Sequence, residues 1–289
     1  MSDAHPDSLV STQWLAAHLG DAAVRILDCS FKMPGVTPLA ADDYRARHIP
    51  GSVFFDIDAI SDHASPLPHM LPSVADFAAA TGRLGIGNDD RVVIYDTAGL
   101  VSAARGWWML RAFGHARVAI LDGGLPKWLA EGRPVTADIP SPPPRPYTAH
   151  FNPALVRDKA RIMANLTAKT EQVLDARTRD RFEGSAAEPW PGRRRGRIPD
   201  SLNLPYGKLT DPKTKTVVPV EELRRHFDEA GIEADKPIVT SCGSGVTACV
   251  LAFGLYLIGR EDVAVYDGSW AEWGLPGATP VATSPATQP

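Results

Sequence analysis

Cysteine is scarce in this chain, with three residues, Cys29, Cys242 and Cys249, among 289. Three thiols make no disulfide framework, and none has the spacing of a Cys-x-x-Cys redox pair or a metal quartet. No metal site or organic cofactor is expected, and sparing use of cysteine fits a reducing, cytoplasmic compartment. Long apolar runs are missing too, so no segment is expected to span a membrane. Met1 to Val10 is polar and acidic where a signal peptide would carry an apolar core. Nor does one sign of charge dominate. Thirty Lys and Arg against 34 Asp and Glu leave a net charge of −4, which gives no reason to expect nucleic acid or an anionic membrane as a partner. What is present is 44% hydrophobic and 22% charged residues. That composition describes a globular protein with full cores, at a length that suits two domains.

The second feature is an internal repeat. Val24-Arg-Ile-Leu-Asp28 returns as Gln172-Val-Leu-Asp175, and His48-Ile-Pro-Gly-Ser52 returns as Arg197-Ile-Pro-Asp-Ser201. Leu84-Gly85-Ile86 matches Ala230-Gly231-Ile232, Leu121-Asp-Gly-Gly124 matches Tyr266-Asp-Gly-Ser269, and Trp128 matches Trp273. Two copies at a nearly constant offset are a duplicated domain and not a solenoid. Each copy alternates short apolar runs with helical stretches, which predicts an α/β fold with a mostly parallel sheet flanked by helices. Arg25 to Asp28, Val92 to Tyr95, Arg117 to Leu121, Pro237 to Thr240 and Val263 to Tyr266 read as strands. Val74 to Thr81 (behind an N-cap at Ser73), Ser102 to Phe113, Pro219 to Glu229 and Ala248 to Leu257 read as helices. The expected domains are 1–139 and 159–289, joined across 140–158, where Pro140-Ser-Pro-Pro-Pro-Arg-Pro146 favours an extended, semi-rigid connector. The Pro-, Ala- and Thr-rich tail after Trp273 is expected to fray. Trp107, Trp108, Trp128, Trp270 and Trp273 fall at core positions.

Cys242 stands between a predicted strand and a predicted helix, inside Ser241-Cys-Gly-Ser-Gly-Val-Thr247. Backbone amides and the positive end of the helix converge there, favouring thiolate over thiol. Gly243 and Gly245 let the backbone wrap an anion. A phosphatase loop needs an arginine six residues after the cysteine, and position 248 is Ala. A thioredoxin-like pair needs a second thiol three residues on, and position 245 is Gly. Cys249 falls on the helix, facing the core, with a resolving role as the alternative.

Cys242-Gly-Ser-Gly-Val-Thr247 resembles the active-site loop of the rhodanese superfamily, in the form carried by 3-mercaptopyruvate sulfurtransferases. Relatives that prefer thiosulfate carry Cys-Arg-Lys-Gly-Val-Thr there. The resemblance runs from about Thr12 to Gly274 and implies two tandem rhodanese-like domains. The first is catalytically silent, because Asp96 stands where the second has Cys242. It implies a sulfurtransferase that moves sulfane sulfur from 3-mercaptopyruvate through a Cys242 persulfide, releasing pyruvate. The acceptor would be thioredoxin, a low-molecular-weight thiol or cyanide. Thiosulfate:cyanide transfer and a non-catalytic sulfur-carrier or interaction module are the alternatives. Arg181 matches the family arginine that grips the substrate carboxylate, and Gly243, Gly245, Val246 and Thr247 complete the loop. Ser244, His69 and Asp58 line up with a proposed hydroxyl–imidazole–carboxylate relay. One departure stands out: a second family arginine, nine residues after the Arg181 position, is Trp190 here. Either Arg181 alone holds the donor, and weakly, or Arg193, Arg194 or Arg195 reaches in as the substitute, the reading slightly favoured here.

Overall fold

The structure is a computed structural model and describes residues 4–283. The first half runs β1 (Leu9–Val10), α1 (Thr12–Ala17), β2 (Val24–Asp28), α2 (Ala40–Ala46), β3 (Ser52–Phe54), α3 (Val74–Arg83), β4 (Arg91–Tyr95), α4 (Ser102–Ala112), β5 (Val118–Leu121) and α5 (Gly124–Ala130). The second half repeats it as β6 (Val156–Arg157), α6 (Lys159–Ala168), β7 (Gln172–Asp175), α7 (Arg179–Glu183), β8 (Leu202–Asn203), α8 (Val220–Glu229), β9 (Ile238–Ser241), α9 (Ala248–Leu257), β10 (Val263–Tyr266) and α10 (Ser269–Trp273).

Each half builds a five-stranded sheet, β1-β5-β4-β2-β3 and β6-β10-β9-β7-β8, so the strand orders are identical. Every pairing within them is parallel. Every residue of β5, β7, β9 and β10 is buried. That is the burial expected of parallel strands covered by helices on both faces, and it explains why they read as unbroken apolar runs. Ser73 caps α3 as its sequence predicts, its Oγ accepting the Asp76 amide at 3.1 Å.

The two halves share one core. Leu27, Val92 and Ile94 of the first sheet belong to the same buried cluster as Leu174, Ile238 and Val265 of the second. The join is made by α4 and α9: the Trp107 ring lies 5.0 Å from Phe253 and 5.2 Å from Tyr256. Trp108, Trp128, Trp270 and Trp273 are buried as expected. The proline-rich connector is laid along the first half. The Arg145, His150 and Asn152 amides donate to the Gly82, Phe113 and Ala112 carbonyls at 3.0, 2.9 and 2.7 Å. Within 140–158, β6 already pairs with β10 of the second sheet.

The tail corrects one expectation. Composition predicts fraying after Trp273, yet Ala282 exchanges backbone hydrogen bonds with Arg197 (2.9 and 3.0 Å). Arg194 also grips the tail, Nη1 donating to the Thr279 carbonyl at 2.9 Å and Nη2 to the Trp273 carbonyl at 3.1 Å. A distant guanidinium supplies what the local sequence lacks. The remainder of the tail, 284–289, and residues 1–3 at the other end lie outside the described residues. Among the described residues no helix is long and apolar enough to cross a membrane.

Candidate active site

Both sheets end their central strand in a loop that leads into a long helix: β4 into 96–101 and α4, β9 into 242–247 and α9. Ligands of open parallel sheets bind at such carboxyl ends. In the first loop the contents are its own. Asp96 Oδ1 accepts the amides of Ala98 (2.9 Å) and Gly99 (2.7 Å), and Oδ2 accepts those of Val101 (2.7 Å) and Ala103 (2.8 Å). Four N–H groups converging on one carboxylate are an anion nest filled from within. Asp96 stands in this loop where the second half has Cys242, so the loop carries no thiol.

The Cys242 loop has the same shape without the plug. Its carbonyls are drawn outward by α10. Those of Cys242 and Gly243 accept the Trp270 and Ala271 amides at 3.0 and 2.7 Å. The Cys242 amide donates to Ser269 Oγ at 3.1 Å. The amides of Gly243 to Thr247 donate to no oxygen of the described residues. Ser244, Gly245 and Thr247 stand where Ala98, Gly99 and Val101 serve Asp96. Gly245 has φ +77°, and a Cβ there would lie 2.6 Å from the Asp267 carbonyl oxygen, so only glycine fits. Cys242 is 1% exposed, and Ser244 and Val246 are also buried.

The other predicted residues gather at this loop in part. Arg181 reaches it: a Cβ on Gly243 would lie 3.0 Å from Arg181 Nη2 and 4.0 Å from Trp190 Nε1. Glu188 holds Arg181 there, Oε2 accepting from Nη2 at 2.5 Å. Glu188 also accepts from Arg177 Nη1 at 2.8 Å, and Arg177 in turn is paired with Asp175 at 2.6 Å. This buried chain of alternating charges fixes the arginine fork, a role that sequence reasoning missed.

His69 is buried, with φ +60°, a strained conformation for a residue with a side chain. Its ring meets Phe31 edge-on at 4.9 Å and Trp190 at 5.9 Å. Nδ1 lies 2.7 Å from Asp58 Oδ1, an ion-pair distance at an angle too poor for a hydrogen bond, and neither ring nitrogen has a hydrogen-bond partner. The carboxylate and the imidazole of the expected relay therefore meet. The link to the Ser244 hydroxyl is not made in this structure. Cys249 is buried and donates from Sγ to the Gly245 carbonyl at 3.1 Å. Burial pushes its thiol well up, and neighbouring Arg105 only partly opposes this. A thiol so held supports the loop through the Gly245 carbonyl.

The three arginines after Pro191-Gly192 are engaged elsewhere. Arg193 donates to the Ala271 and Pro191 carbonyls (3.0 and 2.7 Å), Arg194 holds the tail, and Arg195 lies 3.5 Å from the Ser185 carbonyl. None makes a hydrogen bond to 242–247, and Arg193 and Arg194 donate to main-chain carbonyls outside that loop. Two further residues at the site went unrecognised, Arg105 and Asp267. The repeated Asp-Gly of Asp122 and Asp267 was the available signal for one of them. Arg105, inside an apolar helix, carried none.

Comparison with known proteins follows the same lines. The family model described as a rhodanese-like domain matches twice, at residues 11–131 and 158–275. Thiosulfate/3-mercaptopyruvate sulfurtransferase 2 of Arabidopsis thaliana is 42% identical, over 96% of this chain and 87% of its own length. The 3-mercaptopyruvate sulfurtransferase of Homo sapiens is 43% identical, over 92% and 91%. The crystal structure of the Escherichia coli 3-mercaptopyruvate sulfotransferase superposes with a TM-score of 0.83 at 40% identity, covering 91% of this chain and 99% of that one. With its domain model matched twice and relatives above 40% identity along nearly the whole length, this chain belongs to the rhodanese family, as a tandem of two rhodanese-like domains.

Proposed function

We propose that the protein is a 3-mercaptopyruvate sulfurtransferase working through a persulfide on Cys242. The Cys242 thiolate attacks the sulfur of 3-mercaptopyruvate, and a sulfur–sulfur bond forms as the carbon–sulfur bond breaks. The released electron pair passes to the carbon as the enolate of pyruvate, which takes up a proton to leave as pyruvate. An acceptor thiolate or cyanide then attacks the outer sulfur and returns Cys242 as thiolate. Arg181 holds the donor carboxylate. The loop amides stabilise the sulfur anions before and after transfer. His69, oriented by Asp58, and the Ser244 hydroxyl handle the proton.

The observation that carries this reading is the pair of loops. Where the silent half turns amides onto its own carboxylate, the other half offers the equivalent amides beside a cysteine. An anion at Cys242 Sγ, or on a sulfur attached to it, is what such a nest stabilises. The acceptor is a thiol, of a low-molecular-weight compound or a thioredoxin, or cyanide. Three unbridged cysteines suit a cytoplasmic setting where such thiols stay reduced.

Donor choice follows from Gly243. A side chain at 243 would start 3.0 Å from Arg181 Nη2, so a cation there would crowd and repel the inward Arg181, and glycine leaves that arginine its place. The Arabidopsis relative's name includes thiosulfate, which makes the ratio worth measuring. We expect kcat/KM for 3-mercaptopyruvate at least ~10-fold above thiosulfate, about 1.4 kcal/mol of transition-state preference. Gly243→Arg with Ser244→Lys shifts the ratio toward thiosulfate. Equal or reversed constants in the wild type would make the protein a thiosulfate:cyanide sulfurtransferase. Failure with both donors would leave a carrier or docking module.

A further inference from the structure

Each half covers the other's loop. The Val217 amide of the second half donates to Asp122 Oδ1, and the Leu71 amide of the first half donates to Asp267 Oδ2, both at 2.8 Å. The second cover brings His69 beside the Cys242 loop, where Trp190 meets it from the other half. The two rings stand edge-on, 5.9 Å apart and at 71°.

Trp190 differs from the core tryptophans in what its indole N–H does. Trp108, Trp128, Trp270 and Trp273 each donate theirs to a main-chain carbonyl, at 3.0, 2.8, 2.9 and 2.8 Å. That of Trp190 makes no hydrogen bond among the described residues. Trp190 Nε1 and Arg181 Nη2 both lie close to Gly243, 4.0 and 3.0 Å from where a Cβ would stand. The ring is half-buried, so the donor is held in place beside the arginine and left without an acceptor. The charges around it cancel. Arg177 and Arg181 are matched one for one by Asp175 and Glu188, at 2.6, 2.8 and 2.5 Å. Arg181 therefore offers a carboxylate direction more than surplus charge, and an indole adds none.

We propose that Trp190 is a specificity-determining residue of this site. Its N–H donates to an oxygen on the carbon next to the donor's carboxylate, and its neutrality confines the site to donors with one anionic group. The class so defined is a 2-oxo acid bearing a thiol, with Arg181 on the carboxylate and Trp190 on the 2-oxo oxygen. Negative charge collects on that oxygen as the carbon–sulfur bond breaks and the enolate forms, so the hydrogen bond strengthens in the transition state. A dianion such as thiosulfate meets only a matched ion pair and a neutral donor. The kinetic part of the proposal rests on the persulfide reading above. The binding part does not.

Protection of Cys242 from iodoacetamide reads binding without any sulfur transfer. Pyruvate and propionate share a carboxylate and differ in the 2-oxo oxygen. In the wild type, pyruvate protects at about fivefold lower concentration than propionate, the worth of one neutral hydrogen bond. Trp190→Phe keeps an aromatic ring, removes the N–H and brings the two concentrations within about twofold. In pyruvate release from 3-mercaptopyruvate the same change lowers kcat about fivefold with KM within about twofold. Trp190→Arg separates charge from hydrogen bonding. Coulomb energy scales with the charge of the ligand, so a gain of about tenfold in kcat/KM for 3-mercaptopyruvate goes with about a hundredfold for thiosulfate, and the ratio of the two falls about tenfold. A pyruvate preference that survives Trp190→Phe, no difference between the two acids in the wild type, or a donor ratio unmoved by Trp190→Arg would overturn the proposal. A wild-type protein that releases no pyruvate from 3-mercaptopyruvate would overturn the donor assignment instead, while the protection experiment still decides for Trp190.

Discussion

Burial disfavours a thiolate, and at Cys29 and Cys249 it outweighs what opposes it (the Gly106 backbone at Cys29, Arg105 at Cys249): both thiols are pushed up, chiefly by desolvation. They stay protonated at neutral pH, so Cys29→Ser and Cys249→Ser keep most of the transfer activity. The serine at 249 retains a donor for the Gly245 carbonyl. Stability carries the same signature. In the unfolded chain these thiols ionise from about pH 8.5, while the folded chain keeps its protons. Their contribution is therefore complete below that pH and is lost as pH rises above it, by up to about 1.4 kcal/mol per pH unit for each thiol. Calorimetry between pH 8 and 10 should give a falling Tm, with a shallower fall in the Cys29→Ser and Cys249→Ser chains. An identical slope in all three would contradict the assignment of these thiols.

At the level of elements, strands and long helices were legible because they are local. The run Ala248 to Leu257 predicts α9 to the residue, and Val92 to Tyr95 misses only the first residue of β4. The two-residue strands β1, β6 and β8 are too short to show a period. The five-residue α10, whose amides orient the cysteine loop, gives no helical pattern. The segment after α7 is where sequence reasoning and structure part most clearly. Three consecutive arginines there promised a cation for the site, but main-chain carbonyls that no sequence reveals engage Arg193 and Arg194, and Arg195 stays at the surface. Trp190 is left beside Arg181 and Gly243 with one N–H donor and no charge. Arg193→Ala and Arg195→Ala should leave KM for 3-mercaptopyruvate within about twofold, whereas Trp190→Arg should raise kcat/KM about tenfold, the worth of one charge-assisted hydrogen bond. A tenfold rise in KM from either alanine change would reinstate the substitute arginine.

Across the whole molecule, duplication was plain in the sequence, but its consequence was not. A repeat predicts two similar domains. It does not say that α4 and α9 fuse their cores, or that each half lends the other a cover. These contacts join residues 95 to 196 positions apart, beyond the reach of periodicity. Because one buried cluster spans both sheets, unfolding in denaturant should be a single transition, coincident by tryptophan fluorescence and by far-UV circular dichroism. Two separated transitions would mean that the halves are independent and the shared core counts for little.

The most direct test of the whole account is the mass of the intact protein after incubation with 3-mercaptopyruvate and rapid desalting. One added sulfur per chain is predicted, mapped to Cys242, with one pyruvate released for each sulfur bound and the added mass removed by cyanide. An unchanged mass alongside pyruvate release, or a sulfur found on Cys29 or Cys249, would contradict it.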